Sequence, residues 1–73
     1  MMIYRYKTVI EQDEDGKYIA SCPSLQGCYS QGDSIEEVLE NIKDAIKLHI
    51  EARRAMGEPI PVEVGLEEVE VNV

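Results

Sequence analysis

Residues 22–33, CPSLQGCYSQGD, run directly into residues 34–37, SIEE, and together they hold two strand ends, two turns and the start of a helix. Pro23 has no amide donor for a β-ladder, so it ends the strand before it. Residues 23–27 are then loop, Cys28 to Gln31 leave room for a short strand, and Gly32 gives the chain freedom to turn. Ser34 is the N-cap of the helix that follows. Glu37, three residues later, completes an S-x-x-E capping box in which two orphan amide donors are satisfied reciprocally. No catalytic set lies in this stretch, so the question becomes which partner the chain meets.

Upstream, residues 2–11, MIYRYKTVIE, are rich in aromatic and β-branched residues and predict a strand with Met2, Tyr4, Tyr6, Thr8 and Ile10 on one face. The other face carries Ile3, Arg5, Lys7, Val9 and Glu11, a mixed set with apolar positions left for a contact. Residues 12–16, QDEDG, form a polar connection whose Asp15-Gly16 step supplies the positive φ of a tight hairpin. Lys17 to Cys22 return as the second strand.

Downstream, Ile35, Val38, Leu39, Ile42, Ala45, Ile46 and His49 follow the i, i+3, i+4, i+7 spacing of one buried helical face. The helix is predicted to stop near Met56, because Arg53 and Arg54 suit the negative end of its dipole, Gly57 suits a left-handed cap and Pro59 forbids continuation. Residues 66–73, LEEVEVNV, alternate, with Val69, Val71 and Val73 on one side and Glu68, Glu70 and Asn72 on the other. They predict a last strand from Leu66 to Val73, its acidic residues guarding the edge against uncontrolled pairing. The expected fold is α+β: one domain over residues 1–73, an antiparallel sheet in the order β-β-β-α-β, packed on one face by a single long helix.

A domain of 73 residues is small, and chains of this size bury only about 60% of the surface they expose when unfolded. Self-association, as a dimer or higher homo-oligomer, is the expected supplement. Fifteen acidic residues against seven basic ones give a net charge of -8, which repels phosphate backbones and steers in a basic partner. No direct nucleic-acid binding is expected. Two cysteines are far below the disulfide density of small secreted domains. The apolar runs are too short to span a membrane and no signal peptide is recognisable, so a cytoplasmic location is expected.

Cys22, Cys28 and His49 are the soft ligands of the chain, and a Cys-x5-Cys spacing with one distant histidine falls short of a four-ligand zinc site. The thiols read instead as small packing groups at strand ends. His49, on the apolar helical face, reads as a partly buried packing residue. Asp13, Glu14, Asp15 and Gly16 look like the start of a calcium loop, but the region where the bidentate glutamate would fall is the second strand. No catalytic residue, metal site or cofactor is expected. On the helix, Glu37, Glu40, Asp44 and Glu51 lie along one side, with Lys47 interrupting the row and Lys43 flanking it. One reading is a solvated face with side-chain pairs worth about 0.2–0.5 kcal/mol each. The other is an acidic docking stripe for a cationic protein. The candidate partner-binding residues are Glu37, Glu40 and Asp44, followed by Asp13 and Asp15.

The order D-G-K-Y-I-A at residues 15–20, P-S-L-Q-G-C at 23–28, S-Q-G-D-S at 30–34 and an I-E-E-V-L-E-N-I-K-D-A-I helix resembles the HicB family of antitoxins. The resemblance covers Ile3 to about Pro61. It implies a partial ribonuclease-H-like fold without ribonuclease activity, and a role in binding: family members pair with a small basic HicA-like toxin that cleaves mRNA and mask its surface. Many full-length relatives also carry a DNA-binding segment after this domain, and with the sequence ending at Val73, operator binding by this chain alone is not expected. Two rival expectations stand beside the antitoxin: an orphan oligomeric structural domain without a toxin, and a small enzyme or metal protein using His49, Cys22 and Cys28.

Overall fold

The computed structural model describes residues 3–65 and 67–73. Strands β1 (Val9–Gln12), β2 (Tyr18–Ser21) and β3 (Tyr29–Gly32) form an antiparallel sheet in sequence order, followed by helix α1 (Ile35–Met56). This is the α+β class that the sequence predicts. The β1–β2 turn is built by Asp13, whose carboxylate accepts from the amides of Asp15 and Lys17, each at 2.9 Å. Gly16 takes φ 84° there, a conformation that a Cβ would strain.

Register sets Ile10 beside Ala20 and Ala20 beside Ser30, so alternate residues turn toward α1. Ala20, Cys22, Leu25, Cys28, Val38 and Ile42 make the buried core. Leu25 comes from a segment that reads as plain loop. Two successive turns, with the Leu25 amide donating to the Cys22 carbonyl and the Cys28 amide to the Leu25 carbonyl, each at 3.0 Å, swing its side chain fully inward.

Both ends of α1 follow their sequence signals. The Ser34 hydroxyl accepts from the Glu37 amide at 3.1 Å. The reciprocal half of the capping box does not form, and the Glu37 carboxylate lies instead near Lys17. At the other end Gly57 adopts φ 71°, and the amides of Gly57 and Glu58 donate to the carbonyls of Arg54 and Arg53 at 3.1 and 2.8 Å, a Schellman closure.

Three expectations are corrected. Gly32 is not a turn glycine with positive φ; it is glycine because a Cβ there would sit 2.8 Å from the backbone nitrogen of Val38. The first strand is shorter than residues 2–11, with its ladder starting at Val9, because β2 ends at Ser21 and Pro23 beyond it cannot donate. Burial still alternates before the ladder, Tyr4, Tyr6 and Thr8 being half-buried between exposed Ile3, Arg5 and Lys7. Met2 lies outside the described residues. Finally, residues 67–73 form no strand, and Val69, Val71 and Val73 are exposed; Leu66 lies outside the described residues. Alternation supplies an amphipathic face but no ladder partner. Beside Tyr6 and Lys7 the chain places residues 61–63 instead: the Tyr6 hydroxyl donates to the Pro61 carbonyl at 2.6 Å and the Lys7 amide to the Glu63 carboxylate at 2.7 Å.

α1 packs against β3 and β2 and not against β1. The side of the sheet formed by β1 and residues 3–8 therefore faces an open groove along the helix.

Candidate partner-binding site

The β1–β2 turn and the start of α1 meet at one corner of the molecule. Tyr18 pairs with Gly32, so the next residues outward, Lys17 and Asp33, face each other across the β2–β3 ladder. Their side chains form an ion pair. The hydrogen bond to Asp33 and its negative charge, with further help from Glu37 and Asp13, raise the Lys17 ammonium above the ordinary lysine range. The ammonium of Lys17 is paired with Asp33, and Glu37 and Asp13 add negative charge in its neighbourhood.

Of the five candidate residues, Asp13 and Glu37 are brought to this corner, and Asp15 sits in the same turn with its amide held by Asp13. Glu40 and Asp44 are exposed farther along α1, and no contact joins them to the corner. Sequence reasoning misses Asp33 as a surface acid, treating it only as the residue that launches the helix, and it misses Lys17 as the charge that gathers the others. The signal lies in the hairpin register, which sets residue 17 opposite residue 33.

On α1, Lys43, Lys47 and Arg54, at spacings of four and seven, border the groove beside Tyr4 together with Glu51. The Arg54 guanidinium lies 5.4 Å from the centroid of the Tyr4 ring and donates to its hydroxyl at 3.2 Å. Tyr4 in turn stacks on Tyr6, with ring centroids 6.4 Å apart and planes 4° from parallel. A chain that is acidic overall is therefore divided into an acidic corner and a basic groove.

Cys22 and Cys28 are free, buried and cross-strand, joined by the Cys22 amide donating to the Cys28 carbonyl at 3.0 Å. Burial pushes both thiols up from the usual cysteine range, which disfavours the nucleophilic thiolate. His49 is half-buried, its Nε2 accepting from Arg53 Nε at 2.9 Å, while Arg53 Nη1 donates to the Pro59 carbonyl at 3.0 Å. These bonds fasten the end of α1 to the segment after it. Among the described residues no group of three or more His, Cys, Asp or Glu side chains is placed to hold a metal ion, and no helix is long and apolar enough to cross a membrane.

A family model described as "HicB_like antitoxin of bacterial toxin-antitoxin system" matches residues 6–73. The chain belongs to the HicB-like antitoxin family. It is 49% identical over 61 residues to the UPF0150 protein ssr1765 of Synechocystis sp., a match covering 84% of this chain and 77% of that relative. A UPF0150 protein of Archaeoglobus fulgidus is 44% identical over 62 residues, covering 82% of this chain and 90% of its own length. One of Thermoplasma acidophilum is 44% identical over 57 residues, covering 78% and 83% respectively. Membership in such a family implies a toxin partner.

Proposed function

We propose that this chain neutralises a small basic, mRNA-cleaving toxin of the HicA type by direct stoichiometric contact and catalyses no reaction itself. The observation that carries the reading is the acidic corner where Lys17 pairs with Asp33 and Asp13 and Glu37 add further negative charge. Acidic side chains held at one place attract a cationic surface and compete there with RNA phosphates. The Asp13 carboxylate is held in position by two backbone amides, so little of its side-chain freedom is lost on contact. Asp15 extends the corner along the turn, and Glu40 and Asp44, exposed farther along α1, add a weaker attraction away from it. The protein acts in the cytoplasm, where an mRNA-cleaving toxin would be, and it self-associates.

The test is co-expression with any small basic protein encoded beside it. Relief of growth arrest and a stable complex on gel filtration are expected, weakened by D33K/E37K. Absence of both complex and relief would sink the antitoxin reading.

A further inference from the structure

The space that α1 leaves open beside residues 3–8 is built as a seat. Its floor is apolar, formed by Ile3, Tyr4, Ile46 and Ile50, and Lys43, Lys47 and Arg54 form a cationic rim that only Glu51 interrupts among the described lining residues. The groove encloses about 490 Å³, room for the side chains of an extended segment. On a chain of net charge -8, an apolar trough with a basic border is selective for an acidic, apolar strand.

The chain itself carries such a segment. Residues 67–73, EEVEVNV, alternate acids with valines, and Val69 and Val71 are 78% and 70% exposed although the groove is open. The segment keeps the sequence pattern of a strand and has no ladder in a single molecule. We propose that the groove between α1 and residues 3–6 receives residues 67–73 of a second copy of this chain, valines on the apolar floor and glutamates beside the lysines and Arg5. Exchange in both directions gives a closed, isologous dimer. A basic toxin is repelled by the lysine rim and attracted to the acidic corner, so the two contacts occupy different faces. This inference rests on the self-association in the proposed function and names the surface that produces it.

Light scattering on the purified full chain, with no toxin present, should give twice the 8.2 kDa chain mass. V69D/V71D and K43E/K47E should each run as monomers while keeping the wild-type circular dichroism, with a melting temperature that no longer depends on protein concentration. E68K/E70K mixed with K43E/K47E should restore the dimer. Under mild oxidation, K47C mixed with V71C should give a disulfide-linked pair that neither variant gives alone. A monomeric wild type, or a V69D/V71D variant that remains dimeric, would overturn the proposal, as would a K47C/V71C double variant that closes only within its own chain. None of these readouts involves toxin, so a failed dimer leaves neutralisation standing, and a toxin that does not bind leaves the dimer standing.

Discussion

Gly32 and Val38 meet backbone to backbone: a Cβ on Gly32 would lie 2.8 Å from the Val38 nitrogen and 3.1 Å from its Cα. The last residue of β3 thus lets the first turn of α1 settle directly on the sheet. Backbone cannot rotate aside as a long side chain can, so Gly32→Ala must move the helix. The expected cost is about 1–3 kcal/mol, read as a lower denaturant midpoint with an unchanged slope. A wild-type midpoint would mean that the two elements slide freely.

Leu25 sits in a loop yet is fully buried. Leu25→Ala is expected to cost about 2–5 kcal/mol, as a core truncation does. Thermal and urea unfolding of Leu25→Ala beside Gln26→Ala, an exposed residue of the same loop, checks this. Equal stabilities would show that the loop contributes nothing to the core.

The Lys17–Asp33 pair gives an alkaline dependence. Because contact with Asp33 raises the folded lysine above its ordinary 10.5, its contribution is fully present below that pH and disappears as pH rises through the folded value. Asp33→Asn should flatten that part of the melting-temperature profile. Glu63 behaves with the opposite sign. Bonds from the Lys7 amide and ammonium lower its carboxyl from 4.5, so its contribution holds above that pH and is lost as pH falls through the folded value. Glu63→Gln should remove that acid-side loss.

The thiols should behave as core atoms. With burial raising both, Cys22 and Cys28 are expected to react with an alkylating reagent at neutral pH only as fast as the protein opens, and in parallel with each other. Rapid single-site labelling of either in the native state would contradict this.

Charge reversal should separate the two acidic regions of the surface. D33K/E37K is expected to slow association with a basic partner roughly tenfold or more at low salt and to flatten its salt dependence. E40K/D44K, lying along α1 away from the corner, should do less. Stopped-flow association over a salt series distinguishes them, and a larger effect of E40K/D44K would shift the contact to the helix.

Features set by contiguous residues are legible in the sequence alone. The Asp15-Gly16 turn, the Ser34 cap and the Gly57 stop each depend on residues within one or two turns of each other, as does the apolar stripe of α1, in which Val38 and Ile42 are buried while Ile35 and Leu39, expected on the same face, stay exposed. Features that depend on distant pairings are hidden there. Leu25 is core because two turns aim it, Gly32 is glycine because Val38 lies above it, and Asp33 is part of a charge cluster because register sets Lys17 opposite. The lysines of α1 look like interruptions of an acidic row. They form a border only once residues 3–6 lie alongside them. The tail over residues 67–73 shows the reverse failure: its alternation is real, but a pattern cannot say where a ladder partner is.

Helix α1 has 22 residues and each strand has four. At about 1.5 Å of rise per helical residue and about 3.4 Å per strand residue, the helix runs more than twice the length of the sheet beneath it. Val38 and Ile42 rest on the core from β2 and β3, whereas Ile50 and Arg53 are backed by residues 3–6 and 59–61 from the two ends of the chain. The order of assembly follows from this division. Residues 9–42 close among sequence-local contacts, and the termini fold over the second half of the helix afterwards. Pulse-labelled amide exchange should therefore record protection of the β2 and early α1 amides first, with the turns beyond Ile46 protected last.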